Sequence, residues 1–412
     1  MKQKKSLVEN QFESSFKFTK WALLLCGIKL TRKSFPDFLE YIINNQLFYF
    51  NFFILHSVIF GEIYGVIDCI QTGKSLDELS FNLPCIAISL LSTTKVVYLY
   101  LNREILRKVY HKLKEIHYEI QNTTVFPDDE RKMIKASVNE LKIMIFLLLS
   151  LFSSCLVTFT LVPIFLIAHK FIKTGELVIV YPFLVKYPLF DVMKISWWPL
   201  VYFHHTLATV ITCLKTFGCD AMFFALCSYI DLNFRLLGYK FENSMTKSNE
   251  ETKRNLKTNI QIHQELIGMV DQMEAIFSKS SLFQIVTASL LICLSAFIIT
   301  IADKLNVKFA FFTFLSMSLS QISLICYFAD SLTRSSIKIS ESVYNCSWYK
   351  AETDVKKIML IVIIRSQKAC KLTAWKFVDL NLNVFTRVSN YFKPYYEVVI
   401  ERQTEQTCIQ NY

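Results

Sequence analysis

Long apolar segments recur along the chain and constrain its fold more than any other feature of the sequence. They lie at residues 42–67, 83–101, 141–168, 200–236, 282–301 and 309–328. A helix needs about 20 apolar residues to cross the hydrocarbon core of a bilayer, and the third to sixth segments reach that length. The second is weaker because it contains Lys95. Hydropathy alone therefore predicts an all-α membrane protein with at least six spans.

A seventh segment, residues 369–400, is long enough to span a bilayer as a helix but carries a polar stripe. At 100° per residue, about a third of the circumference holds Asn383, Thr386, Arg387, Asn390, Lys393 and Glu397. The opposite face holds Val384, Phe385, Val388, Phe392 and Val399. Charge in hydrocarbon costs about 2.5–3.5 kcal/mol per residue, so the stripe should meet water or protein. A seventh span and an amphipathic helix on the membrane surface both fit this pattern.

The distribution of basic residues predicts the orientation of the spans. Residues 1–37, 102–137, 235–279 and 331–376 hold 32 of the 45 Lys and Arg residues, whereas the alternate connections and the C-terminal tail hold 8. Because cytoplasmic loops carry the excess of positive charge, the N-terminus is predicted to be cytoplasmic. With seven spans the C-terminus is then extracellular. The net charge of +11 is accounted for by this bias, so nucleic acid is not an expected partner.

The motifs of common enzymes and metal sites are missing from the sequence. With 8 Gly in total, a glycine-rich phosphate loop is excluded, and no G-x-S-x-G, HExxH or CxxC pattern occurs. We therefore expect no catalytic residues, no metal and no cofactor. Cys69 and Cys85 flank one short connection and would be able to pair if it is extracellular. The patterns of G-protein-coupled receptors, Asp/Glu-Arg-Tyr and Asn-Pro-x-x-Tyr, are also absent.

The connections differ in character. Residues 169–197 are aromatic and contain Pro182 and Pro188, which predicts a structured lid on the outer side. On the inner side, helical patterns overrun the spans at Glu104–Gln121, Asn259–Phe277 and Ser331–Tyr349. These extensions predict a cytoplasmic helical bundle that is available for subunit contact.

Five blocks, in order along the chain, resemble the insect odorant receptor family. They are YPLFDVMKISWWPLVYFHH (Tyr187–His205), HQELIGMVDQMEAIFS (His263–Ser278), SLSQISLICYFADSLT (Ser318–Thr333), SESVYNCSWY (Ser340–Tyr349) and KLTAWKFVDLNLNVFTRVSNYF (Lys371–Phe392). The Thr-Tyr…Gln-Phe signature of the related gustatory receptors is not found in the last span, which favours the odorant branch.

The resemblance implies an odorant-gated, non-selective cation channel subunit in the plasma membrane of olfactory sensory neurons. It implies a single seven-helix domain over 1–412, with a cytoplasmic segment (1–41), spans one to six with the ligand pocket (42–330), a cytoplasmic anchor (331–376) and a pore helix (377–400). A tuning subunit of this family binds a small volatile molecule and forms a heterotetramer with a co-receptor subunit, surrounded by membrane lipid. The connection at 238–265 is short, whereas co-receptors carry an insertion there, so this chain resembles a tuning subunit.

The resemblance also implies two sets of site residues. Candidates for the odorant pocket are Ile88, Leu91, Phe159, Tyr202, Thr206, Phe311, Phe314 and Met317. Candidates for the pore are Asn383, Arg387, Asn390, Pro394, Glu397 and Val398. The pair Lys393-Pro394 departs from the family pattern, since a proline ends or kinks a helix and a fixed positive charge opposes cation conduction. Two rival hypotheses are a metabotropic seven-helix receptor and a structural subunit that binds no ligand.

Overall fold

The structure of the chain is a computed structural model that describes residues 2–30, 37–72, 76–123, 126–183, 185–188, 192, 194–302, 305–387 and 390. Within these residues it is nearly all helical. The α-helices of this described part are α1 (Lys2–Leu25), α2 (Asp37–Gln71), α3 (Leu76–Leu101), α4 (Arg103–Thr123), α5 (Asp128–Thr174), α6 (Trp198–Glu242), α7 (Asn249–Ile301), α8 (Leu305–Asn345) and α9 (Thr353–Gln367). Six of the described helices, α2, α3 and α5–α8, are long and apolar enough to cross a membrane, which confirms the six predicted apolar spans.

Helix α6 is the centre of the bundle. It contacts α1–α5, α7 and α8, and its side chains from Lys215 to Cys227 are continuously buried. Because α6 is apolar on all sides, it has no face that prefers solvent, and such a helix belongs in the core of a large helical protein. The other helices are arranged around it and turn apolar side chains outward, among them Phe146 and Phe165 of α5, as expected for surfaces in contact with lipid.

The helical extensions beyond the spans are present. Helix α7 begins at Asn249, where the Ser248 side chain accepts a hydrogen bond from the Glu251 backbone N–H and so caps the helix. Helix α8 continues to Asn345, and a 3-10 turn follows at Trp348–Lys350. The predicted continuation of the second span is a separate helix, α4, because the chain turns at Asn102.

Helix α1 packs against both α4 and α6. The rings of Phe12 and Phe16 are buried and contact Tyr110 and Tyr229 at centroid distances of 4.7 to 5.6 Å. The Tyr229 hydroxyl donates to Ser15 Oγ at 3.0 Å. Helix α1, which ends at Leu25, is therefore anchored to the bundle through its middle residues.

The segment 369–400 is not one continuous helix. Its first part forms an antiparallel hairpin, in which β1 (Thr373–Ala374) pairs with β2 (Val378–Asp379). Trp375 and Lys376 form the turn with φ angles of 49° and 61°, a left-handed conformation that a continuing right-handed helix excludes. Helical structure resumes at 382, so the expected start of the pore helix at 377 was wrong.

The hairpin is fixed to α7 by a carboxylate. Glu274 Oε2 accepts from the Thr373 backbone N–H at 2.7 Å, and the Thr373 hydroxyl also donates to Glu274. The Trp375 backbone N–H donates to Ser278 Oγ at 2.8 Å. These bonds satisfy backbone N–H groups that a continuous helix over this segment would have bonded to its own carbonyl groups. The chain can therefore form a turn here in place of a helix.

The cysteines of the described residues are free thiols. Cys69 and Cys85 are both buried, and the structure does not pair them. A buried thiol behaves as a small apolar side chain, which is sufficient to account for their positions within the bundle.

Candidate functional site

An apolar cavity lies inside the bundle, near the end that carries residues 169–197. Its volume is about 40 Å³. Five helices and the 169–197 connection line it, with the residues Leu55, Val58, Glu62, Cys85, Ile88, Ser89, Phe152, Cys155, Phe159, Phe183, Ala208, Thr209, Thr212, Cys213, Phe314 and Met317. Enclosure by apolar side chains with a few polar groups is the usual character of a small-molecule site.

Aromatic rings form one wall of the cavity. The ring of Phe159 on α5 lies 4.9 Å from that of Phe314 on α8 and 5.4 Å from that of Phe183 in the connection. Phe159 and Phe314 are each only 3% exposed. The three rings therefore join two helices and the connection in a single apolar contact, which a molecule in the cavity would touch directly.

The connection 169–197 packs closely on α2. The Lys186 backbone N–H donates to the Gly61 carbonyl at 3.1 Å, and Lys186 Nζ lies 2.6 Å from Asp68 Oδ1. A Cβ atom at Gly61 would clash with Val185 and Tyr187, so the close approach requires glycine. The connection thus covers the cavity on this side, in agreement with the predicted lid.

Four of the eight predicted pocket residues, Ile88, Phe159, Phe314 and Met317, line the cavity. The other four, Leu91, Tyr202, Thr206 and Phe311, do not. Tyr202 donates its hydroxyl to the Thr160 carbonyl, and Phe311 is fully buried behind Phe314 with the two rings 6.1 Å apart.

The contribution of α2 to the cavity was missed at the sequence level. Leu55, Val58 and Glu62 all face it from this helix. One signal was available, because Glu62 is the single charged residue within the apolar segment 42–67. An ionisable side chain inside a span is costly and marks a functional position more often than a random one.

Glu62 is the unusual polar member of the cavity wall. The residue is 1% exposed, and its Oε2 atom is buried without a hydrogen-bond partner in the described part of the chain. The hydroxyl of Thr209, which also lines the cavity, is engaged with the His205 carbonyl at 2.9 Å. Native structures rarely leave a buried carboxyl oxygen unpaired, so this one requires an explanation.

A second, larger cleft of about 570 Å³ lies among α5, α6 and α8, towards the ends of these helices away from the connection. Its walls are polar and carry several charged groups. Two of these pair with each other: Arg235 lies 2.7 Å from Asp231 and also donates to Ser331 at 3.1 Å. Because its lining is polar and charged, this cleft is a weaker candidate for an apolar ligand than the apolar cavity.

The described part of the last helix has two distinct faces. Val384 is buried in a cluster with Ala288 and Ile292 of α7, and Phe385 packs against the same cluster. Asn383, Arg387 and Asn390 are exposed. The apolar face therefore docks on the bundle, and the polar face points away from it. The remaining pore candidates, Pro394, Glu397 and Val398, lie outside the described residues.

Among the described residues, no group of His, Cys, Asp and Glu is arranged to hold a metal ion. His204 and His205 are adjacent, but His204 Nε2 contacts the Ser57 hydroxyl at 2.8 Å, whereas both ring nitrogens of His205 are buried without a hydrogen-bond partner among the described residues.

The fold is similar to that of a solved insect olfactory receptor. Superposition on OR5 of Machilis hrabei gives a TM-score of 0.81 at 16% sequence identity, over 95% of this chain and 98% of that one. The same receptor has been solved in complex with eugenol, and that structure also matches with a TM-score of 0.81.

Sequence comparison identifies relatives of the same kind. Putative odorant receptor 92a of Drosophila melanogaster is 25% identical over 350 residues, which cover 82% of each protein. The odorant receptor coreceptor of Aedes aegypti is 27% identical over 161 residues, covering 39% of this chain and 34% of that protein. The profile of the family described as 7tm Odorant receptor matches residues 75–392. With six candidate spans, the chain is a multi-pass membrane protein, and it belongs to the 7tm odorant receptor family, a family of receptors and not of enzymes.

Proposed function

We propose that the protein is the ligand-binding subunit of an odorant-gated, non-selective cation channel. The observation that carries this proposal is the apolar cavity inside the bundle, which is lined mainly by apolar and aromatic side chains. A small volatile molecule offers few hydrogen bonds, so dispersion and burial must supply most of its binding free energy, and this cavity is suited to that role.

Ligand entry requires a rearrangement of the cavity. A volume of about 40 Å³ accommodates little more than water-sized molecules. Of the side chains that line the cavity, the unbranched Met317 moves most easily, because it has several rotatable bonds and adapts to different conformations. A ligand that fits only the enlarged cavity shifts the equilibrium towards that conformation, and a shift from 1% to 99% needs about 5.5 kcal/mol of differential affinity.

The last helix is proposed to line the pore in an assembled channel. Its exposed residues Asn383, Arg387 and Asn390 form a polar face that the chain itself does not cover, while Val384 is docked on α7 and α8. A polar face inside a membrane is stable next to water or another subunit. Pro394, Glu397 and Val398 continue the proposed pore beyond the described residues.

The partner is proposed to be a co-receptor subunit in a heterotetramer. The connection between α6 and α7 is short, since α6 ends at Glu242 and α7 begins at Asn249. This supports a tuning subunit, which lacks the insertion expected of a co-receptor. The proposed orientation places the N-terminus in the cytoplasm, and the proposed location is the plasma membrane of olfactory sensory neurons.

The test is expression in a cell line with and without the Aedes aegypti coreceptor, recorded against a broad panel of volatile molecules. We expect volatile molecules to evoke a cation current when the co-receptor is present and the protein has reached the cell surface. Absence of current across the panel, despite surface expression, would contradict it. An N-terminal tag that antibodies reach on intact cells would overturn the orientation and favour the metabotropic alternative.

A further inference from the structure

The cavity described above is lined by one carboxyl group, that of Glu62, and one of its two oxygen atoms is unpaired within the described residues. Glu62 lies in the cavity wall, is 1% exposed, and has an Oε2 atom with no hydrogen-bond partner among the described residues. The polar residues that share the wall are the small side chains Ser89, Thr209 and Thr212 and three cysteines. Of these, Thr209 already donates its hydroxyl to the His205 carbonyl.

A cation beside this part of α2 is engaged with another carboxylate. The backbone N–H of Lys186 donates to the Gly61 carbonyl, and its ammonium group pairs with Asp68 at 2.6 Å. The Thr209 hydroxyl is likewise engaged. A buried carboxyl oxygen that lacks a partner is destabilising, so the presence of Glu62 inside an otherwise apolar segment calls for a partner from outside the chain.

We propose that Glu62 is the specificity-determining residue of the cavity, and that it selects small apolar molecules carrying one hydrogen-bond-donating group, a hydroxyl or an amine. This inference rests on the proposed function and adds the chemical class of the ligand. The apolar wall formed by Phe159, Phe314 and Met317 holds the hydrocarbon part, and the carboxyl oxygen accepts the hydrogen of the donor group. Hydrocarbons of the same size leave Glu62 unsatisfied, and so do carbonyl compounds and ethers when the carboxyl is ionised and has no hydrogen to donate.

The selectivity expected from this arrangement is large. A site that provides a buried polar partner rejects analogues without the matching group, because binding them leaves that partner desolvated and unpaired. A hydrogen bond to a charged or strongly polar group corresponds to about 10- to 100-fold in affinity. Hexanol should therefore exceed methyl pentyl ether in potency by about that factor, although the two molecules are isomers of nearly equal size.

The experiment compares four probes of similar size on the channel formed with the co-receptor: hexanol, hexylamine, methyl pentyl ether and heptane. Glu62→Leu is expected to abolish the preference for the two donors and to leave the response to heptane unchanged or stronger. Glu62→Gln keeps an acceptor oxygen without the acid group, so it should retain part of the preference for hexanol and lose the additional preference for hexylamine. Glu176→Gln changes an exposed carboxyl in the connection after α5 and serves as the control.

A purely structural role for Glu62 would move the potency of all four probes together, so the ratio between hexanol and the ether is the deciding quantity. An unchanged ratio in Glu62→Leu, with normal surface expression, would overturn the inference while the proposed channel function stands. If the wild-type channel passes no current with any probe, the proposed function fails first. Thermal stabilisation of the purified wild-type assembly then decides the inference: greater stabilisation by hexanol than by the ether supports it, and equal stabilisation overturns it.

Discussion

The ammonium group of Lys95 on α3 lies 2.5 Å from the carboxylate of Asp220 on α6, and both side chains are almost completely buried. Gln321 of α8 donates to the second oxygen of Asp220 at 3.2 Å. The lysine that weakens the second apolar segment is thus neutralised inside the bundle. Because the pair connects three helices that also line the ligand cavity, its partners are expected to fix how these helices pack.

Removal of one member of this pair is predicted to destabilise the protein strongly. Lys95→Met leaves Asp220 buried without its cation, and Asp220→Leu leaves Lys95 without its anion. Loss of one partner of a buried ion pair costs about 3–5 kcal/mol, whereas replacement of both by apolar residues is often neutral. The double variant Lys95→Met/Asp220→Leu should therefore unfold at a higher temperature than either single variant.

The exposed pair Lys112–Glu265 is the matched control, with an Nζ–Oε1 distance of 3.0 Å. Exposed pairs contribute about 0–1 kcal/mol, so Lys112→Met should change the thermal unfolding midpoint little. If the Lys95 and Asp220 variants behave like Lys112→Met, or if the double variant is less stable than both single ones, the pair does not have the role described above.

The position of the cavity predicts a difference between two phenylalanines of α8. Phe314 lines the cavity, whereas Phe312 lies on the lipid-facing side and is 58% exposed. Phe314→Leu enlarges the cavity and should change the relative potency of ligands that differ by one methylene by about fourfold, since each buried methylene is worth about 0.8 kcal/mol. Phe312→Leu should leave the relative potencies unchanged. Dose–response curves for a homologous series of alcohols measure both, and equal shifts in the two variants would place the ligand elsewhere.

The contact between Gly61 and the 169–197 connection predicts a steric effect. Gly61→Ala places a methyl group against Val185 and Tyr187, and overpacking of this kind costs about 1–3 kcal/mol. The connection should separate from α2 and become more sensitive to added protease. Gly268→Ala is the control, because no atom lies near its added methyl and the change in a helix is neutral or stabilising. Equal protease sensitivity of both variants would contradict a packed lid.

His117 predicts a pH dependence of stability. Its Nδ1 contacts Asn233 Oδ1 and its Nε2 contacts the Gln121 amide nitrogen, each at 3.0 Å, an arrangement that suits a neutral ring. Burial lowers the pKa of His117 from 6.5 to about 4, opposed in part by the hydrogen bond with Asn233. The unfolded chain therefore binds more protons between these two values, and stability must fall as the pH decreases through this window, by roughly 3 kcal/mol in total.

The measurement is the thermal unfolding midpoint of the purified protein from neutral pH down to about pH 4. His117→Gln removes the titrating group and should reduce the dependence of the unfolding midpoint on pH. His111→Gln, at an exposed position on the same helix, should leave that dependence unchanged. A wild-type curve with the same slope as His117→Gln would show that His117 is not the group responsible.

The sequence was sufficient for those features that depend on long, repeated patterns. Segments such as 141–168 and 282–301 reach the length of a span, so the six apolar helices followed from hydropathy. The extension of α7 over Asn259–Phe277 followed from continued helical periodicity, and in the structure the helix begins ten residues earlier, at Asn249. The hairpin at Thr373–Asp379 did not, because it depends on hydrogen bonds that its backbone donates to Glu274 and Ser278, which are nearly a hundred residues away in the chain.

The pocket was less predictable because its lining depends on how the helices are rotated against one another. Leu91 and Ile88 are both apolar and lie one turn apart on α3, yet only Ile88 reaches the cavity. Nothing in the local sequence distinguishes them, since both are buried. Phe183 reaches the cavity because its connection folds onto α2, a contact that local patterns do not contain.

The most direct test of the central claim is a recording from outside-out membrane patches that contain the chain and the co-receptor, with no nucleotides on the cytoplasmic side. A subunit of a ligand-gated channel should respond to an applied odorant with an immediate cation current, and Phe314→Leu should alter which odorants evoke it. A response that disappears on patch excision and returns only with nucleotides and cytosol would contradict the account and identify a metabotropic receptor.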